Sequence, residues 1–116
     1  MTVAGVLAEA TKDTFRDLVA RGRVVVDVWG PQCAPCIALM PAVEALARSR
    51  PDVTFVKLDS SQARRLCMEL RVMGLPAFLL FQDGREVARI AGQDLDAMRL
   101  TQWLDETLSA NGKERN

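Results

Sequence analysis

Val24 to Trp29, VVVDVW, is apolar at every position but one, the pattern of a strand covered on both faces. Val53 to Leu58 reads as another buried strand. Between the two, Cys36, Leu39, Met40, Val43, Leu46 and Ala47 recur at the spacing of one helix face. Pro41 falls inside that helix. It removes the hydrogen bond to the Ile37 carbonyl and predicts an interruption with a kink. Upstream, Val3 to Leu7 predicts a short first strand. Thr11 is an N-cap for a helix with Phe15, Leu18 and Val19 on one face, stopped at Gly22. Downstream, residues 61–71 predict a helix with Ala63, Leu66, Cys67 and Leu70 inward. Ala77 to Phe81 and Glu86 to Ala91 read as strands, joined by QDGR with its Asp-Gly hairpin signal. Leu95 to Leu108 predicts a last helix, with Met98, Leu100, Trp103, Leu104 and Leu108 available for burial.

Strand–helix–strand units imply parallel pairing with right-handed crossovers, and the hairpin adds an antiparallel edge. The expectation is an α/β fold, a mixed sheet covered by helices. At 116 residues the chain is one domain over 1–110, with the polar tail NGKERN at 111–116 expected to fray. Such a chain buries a core without help from a metal. Basic and acidic residues balance at 15 each, which argues against nucleic acid as a partner. Arg64-Arg65 is the one adjacent basic pair and reads as a solvated helix face. No apolar run reaches the roughly 20 residues that span a bilayer, so no membrane association is expected. The first basic residue is Lys12, too late for the charged start of a signal peptide, and the expected compartment is the cytoplasm.

The candidate chemistry is WGPQCAPC, residues 29–36. A CxxC pair can clip zinc, staple a loop, or cycle between dithiol and disulfide. There are no histidines and only three cysteines, Cys33, Cys36 and Cys67. A zinc site normally uses four Cys or His ligands, so no metal and no cofactor is expected. The pair lies between a buried strand and an amphipathic helix, and Pro35 suits a first helical turn. Residues three apart there have Cα atoms roughly 5–6 Å apart, within disulfide range. Cys33 sits where free N–H groups and the helix dipole favour a thiolate. Cys36, one turn in, is more covered and the poorer nucleophile. That asymmetry suits thiol–disulfide exchange, in which one thiolate attacks and the other resolves. Against it stands the plainer reading of two small core residues.

Three residues bear on that choice. Asp27 interrupts the apolar strand, on the face shared with Val25 and Trp29. Buried, a carboxyl there needs a partner or a raised pKa, and it can handle protons for the cysteines. Otherwise it is a strand-end Asp reaching water. Lys57 shares a strand face with Val53 and Phe55; it is either the partner of Asp27 or a snorkelling lysine. Pro76, in GLPAF, is either a strand-start residue or a cis peptide shaping a turn.

With these residues in place the chain resembles a thioredoxin from about residue 3 to 108. The resemblance rests on VVVDVW, CAPC, Pro41, VKLD, GLPAF, the DG hairpin and Gly92, in that order. Thioredoxins are themselves the standing example of a lowered pKa in a CxxC motif. The resemblance implies the thioredoxin fold and a protein-disulfide oxidoreductase, most simply a reductase. It makes Cys33 the nucleophile, Cys36 the resolving thiol and Cys33–Cys36 the redox disulfide. It makes Asp27 and Lys57 a buried charge pair and Pro76 a cis-proline. The groove would comprise Trp29, Gln32, Ala34, Pro35, Leu75 and Gly92, with the Leu75 backbone pairing with an extended substrate. The implied partners are disulfide-containing client proteins and a thioredoxin-reductase-like electron donor, with the chain a monomer.

The site also departs from the family pattern Trp-Cys-Gly-Pro-Cys. Gln32 stands in place of the exposed tryptophan, removing an aromatic anchor, and Ala34 in place of glycine, restraining the backbone. Cys67, on the inner face of its helix, is a buried inert thiol or else a regulatory one. Beside the oxidoreductase stands a second class of function, a binding module that holds a partner without redox turnover.

Overall fold

In a computed structural model of the chain, which describes residues 7–113, the elements are β1 (Ala8–Ala10), α1 (Phe15–Leu18), β2 (Arg23–Trp29), α2 (Ala34–Ser49), β3 (Thr54–Asp59), α3 (Arg64–Glu69), β4 (Ala77–Gln82), β5 (Arg85–Ala91) and α4 (Ala97–Lys113). The strands form one mixed sheet of order β1-β3-β2-β4-β5. β2 lies at its centre with partners on both sides. It pairs in parallel with β3 and antiparallel with β4.

Period-two alternation splits each inner strand between two cores. Val24, Val26, Val28, Val56, Leu58 and Leu79 face α1 and α3, meeting Phe15, Val19, Leu66 and Cys67. Val25, Phe55, Phe78 and Leu80 face α2 and α4, meeting Leu39, Val43, Trp103 and Leu104. The outcome is a mixed sheet with helices on both faces.

Local chemistry sets the element ends. Thr11 Oγ1 accepts the N–H groups of Asp13 and Thr14 ahead of α1, and Gly22 follows with φ +69°. Asp83 (φ +50°) and Gly84 (φ +87°) both take the left-handed conformation a two-residue hairpin demands. Asp83 also accepts the Gly22 N–H at 2.8 Å, tying the hairpin to the start of β2. Asp96 Oδ1 accepts the Arg99 N–H and starts α4.

Several expectations change. The strand foreseen at Val3 to Leu7 lies almost wholly outside the described residues, and the first strand seen is Ala8–Ala10. α2 continues through Pro41, whose ring side is exposed; the lost bond to Ile37 does not end the helix. The helix foreseen at 61–71 is a 3-10 turn (Ser60–Gln62) followed by α3, broken at Ala63 with φ −143°. Met40 is only half-buried, and Met98 points to solvent, 80% exposed, because the buried face of α4 begins at Leu100. The tail region begins within α4, which runs to Lys113, and 114–116 lie outside the described residues.

The largest correction concerns direction. β4 runs antiparallel to β2, where a parallel crossover was implied. α3 has six residues, roughly 9 Å of helix, against roughly 20 Å for the six-residue β3. So short a helix does not carry the chain back to the start of the sheet. β4 therefore begins at the end where β2 finishes, which brings Pro76 beside the loop that carries the cysteines.

Candidate active site

The strand β2 ends at Trp29, and four residues later Cys33 caps α2. Cys33 has extended backbone angles, its N–H donates to the Gly30 carbonyl at 3.0 Å, and its Sγ accepts the Cys36 N–H at 3.2 Å. A thiolate at this sulfur would keep that donor and face the positive end of a 16-residue helix. Pro35 occupies the first turn, where no N–H is needed. Cys33 and Cys36 are disulfide-bonded, their Cα atoms 5.3 Å apart. Cys33 is half-buried, whereas Cys36 is 1% exposed. Gln32 and Ala34 are exposed at the mouth.

Asp27 is buried at 2% exposure, on the face that meets α2. Its Oδ2 has no hydrogen-bond partner. Burial pushes its carboxyl up to about 7, with the charge of Lys57 pulling the other way. Asp27 and Lys57 are register partners on adjacent strands. No ion pair joins them; the Lys57 ammonium lies 5.7 Å from the centre of the Trp29 ring. The lysine therefore acts on Asp27 through space and on Trp29 by contact.

The opposite wall comes from the loop ahead of β4. The Leu75–Pro76 peptide bond is cis, and the Pro76 carbonyl accepts the Gly92 N–H at 3.1 Å. Leu75 Cδ1 would lie 3.3 Å from a Cβ at Gly30, so the loop and the turn after β2 touch. The N–H and carbonyl of Leu75 have no hydrogen-bond partner among the described residues. Gly92 has φ +144°, and a Cβ there would lie 2.9 Å from Asp94 Oδ1. Trp29, Cys33, Leu75, Pro76 and Gly92 thus come together at one end of the sheet from three separate stretches of chain.

Other nearby residues were not foreseen. Ile37, one turn after Cys33, is 51% exposed, and Met73, two residues before Leu75, is 94% exposed. Both supply apolar surface close to a mouth that lacks an aromatic at 32. The signal for Ile37 was present, an isoleucine outside its helix's apolar stripe; for Met73 there was none.

The family model for thioredoxin matches residues 6–106. The chain belongs to the thioredoxin family. It is 38% identical over 92 residues to thioredoxin of Acetoanaerobium sticklandii, covering 77% of this chain and 88% of that one. It is also 38% identical over 104 residues to thioredoxin of Peptoclostridium acidaminophilum, covering 83% and 94%. Among solved structures it resembles the short form of thioredoxin f from spinach chloroplast, with TM-score 0.82, 29% identity and coverage of 92% and 97%. It also resembles a chain of the complex between ferredoxin:thioredoxin reductase and thioredoxin f2, with TM-score 0.80, 25% identity and coverage of 90% and 97%. With its CxxC pair at disulfide distance, this thioredoxin-family chain is a thiol–disulfide oxidoreductase. A binding module without turnover is not favoured. Among the described residues no helix is long and apolar enough to cross a membrane.

Proposed function

We propose that the chain reduces disulfides in client proteins, with Cys33 as nucleophile and Cys36 as resolving thiol. The observation that carries this assignment is the difference between the two sulfurs: Cys33 is accessible at the helix N-terminus and Cys36 is buried behind it. The Cys33 thiolate attacks one sulfur of a client disulfide, and the other leaves as a thiolate that takes up a proton. Cys36 then gives its proton to Asp27, directly or through a water, and its sulfur attacks Cys33. The second client sulfur leaves and is protonated. Two electrons pass to the client, and Cys33–Cys36 is left as a disulfide. An acceptor held near neutrality, as burial holds Asp27, suits this transfer.

Trp29, Gln32, Ala34, Pro35, Leu75 and Gly92 line the client groove. The free N–H and carbonyl of Leu75 support strand-like pairing with an extended client segment beside Pro76. A separate reductase returns the electrons; the likeness to a chain of the ferredoxin:thioredoxin reductase and thioredoxin f2 complex supports this. The chain works as a single-domain monomer in the cytoplasm, apart from nucleic acid and membranes. Trapping tests the roles. Cys36→Ser should accumulate mixed disulfides with clients on non-reducing gels, and Cys33→Ser almost none. Equal trapping by both would reject the assignment.

A further inference from the structure

Just past the end of α3 stands a residue whose backbone does not suit it. Leu70 caps the helix, and Arg71 follows with φ +58°, a region that glycine enters without steric cost. The turn satisfies two late carbonyls: the Arg71 N–H donates to Met68 at 3.1 Å and the Val72 N–H to Cys67 at 3.0 Å. The carbonyls of Leu70 and Arg71 are both taken by a single side chain from another element. Arg89, on β5, donates from Nη2 to the Leu70 carbonyl at 2.8 Å and from Nη1 to the Arg71 carbonyl at 3.1 Å. Glu86 holds the same guanidinium from its far side, with contacts of 2.5 Å to Nε and 2.7 Å to Nη2. Only a planar fork of donors makes this set of contacts; an ammonium is a point charge.

The clamp stands at the root of the client loop. Four residues, Val72 to Leu75, separate Arg71 from Pro76. Two of them have little to hold them: Met73 is 94% exposed, and a Cβ at Gly74 would meet nothing within 4 Å. The other two, Val72 and Leu75, pack against the core, and the anchored ends, β4 on one side and the clamped turn on the other, set how the loop backbone enters that packing.

We propose that Arg89 is a positioning residue for client binding. By pinning the Leu70 and Arg71 carbonyls to β5, it fixes the backbone of Leu75 beside Gly30 and the redox cysteines. The proposal rests on the reading of Leu75 as the segment that pairs with clients. It distinguishes an extended protein substrate, which needs that backbone in place, from a small disulfide, which needs only Cys33.

The test compares insulin with bis(2-hydroxyethyl) disulfide, each reduced by the full chain with dithiothreitol as electron source. Arg89→Ala should raise KM for insulin about fivefold, the loss expected for one charge-assisted contact pair at a partly exposed site. kcat for insulin should stay within about twofold, and the small-disulfide rate should not change. Arg89→Lys should recover about half of the KM loss. Adding Arg71→Gly to Arg89→Ala should recover most of it, because glycine holds the left-handed turn unaided. Equal losses on both disulfides, an unchanged insulin KM, or no rescue by Arg71→Gly would overturn the proposal. Should Arg89→Ala not fold, Glu86→Ala carries the test, with about a twofold KM rise for insulin alone. If the unaltered chain saturates with insulin no more tightly than with the small disulfide, the groove reading itself fails. A normal preference with an unmoved Arg89→Ala removes only the role of Arg89.

Discussion

The centre and the edge of the sheet treat charge in opposite ways. On β2, Asp27 is 2% exposed, with one carboxylate oxygen unpartnered. The nearest cation on the adjoining strand, Lys57, places its ammonium over Trp29 instead. On β5, Arg89 has three donors engaged by two carbonyls and a carboxylate. A buried carboxyl with an oxygen left unpartnered costs stability, so folding alone gives no reason for it. A charge satisfied on an edge strand holds neighbouring elements in place. The first fits the proton transfer proposed for it, the second a role in holding geometry.

The sharpest way to break this contrast is the pH dependence of stability. Asp27 titrates near 4 when unfolded and about 7 when folded, so between those values the folded state binds the extra proton. Stability is highest below about pH 4 and falls as pH rises to about 7, by at most about 4 kcal/mol from this group. Asp27→Asn should remove that fall and be at least as stable as the parent at pH 7. Urea unfolding at pH 4, 5.5 and 7 measures it. Parallel curves for the two proteins would mean that Asp27 does not titrate as a buried acid.

The next effect is kinetic. Asp27→Asn should slow resolution of the mixed disulfide about tenfold near pH 7, because it removes the proton acceptor proposed for Cys36. Stopped-flow measurement of that step across pH would show it. An unchanged rate combined with lost stability would make Asp27 a structural residue.

Arg89→Ala sharpens the comparison from the edge. Its contacts are partly open to water, so the stability loss should be only about 1 kcal/mol, seen as a shifted urea midpoint. Faster amide exchange at Arg71 and Val72 should accompany it. A loss as large as that of a core truncation would place Arg89 in the folding core and blur the distinction.

The smallest effect belongs to Cys67, a buried thiol with no hydrogen-bond or disulfide partner. Burial, and then Asp59, push its pKa up, so it stays a protonated thiol at neutral pH. Cys67→Ala should leave insulin reduction within about twofold, and native Cys67 should react with iodoacetamide more slowly than a free peptide thiol. Rapid labelling would restore the regulatory reading.

Much of this was legible in the chain because its patterns are local. The apolar run of β2, the i,i+3 and i,i+4 stripe of α2 and the Asp-Gly hairpin each report on neighbours a few residues away. The same is true of the CxxC pair at a helix start, whose spacing alone bounds the Cα separation. The inward placement of Met98 failed because a helix's apolar positions do not say which the sheet will cover. The parallel direction of β4 failed because helix length, not helix presence, decides where a crossover ends. The clamp made by Arg89 was invisible: beyond Glu86, it holds backbone carbonyls of the turn that follows α3, eighteen and nineteen residues away.

By itself, then, the sequence determined the elements, the two apolar faces of each inner strand, and a cysteine pair placed for thiol chemistry. Each follows from steric and hydrophobic rules acting over one or two turns of chain. Only the tertiary structure decided that β4 starts at the same end of the sheet as Cys33, that Lys57 lies over Trp29 while reaching Asp27 only through space, and that an arginine on the edge strand holds the turn after α3. These depend on which surfaces meet once the chain is packed. That choice is made by the sum of many contacts between distant residues, and no short stretch of sequence carries it.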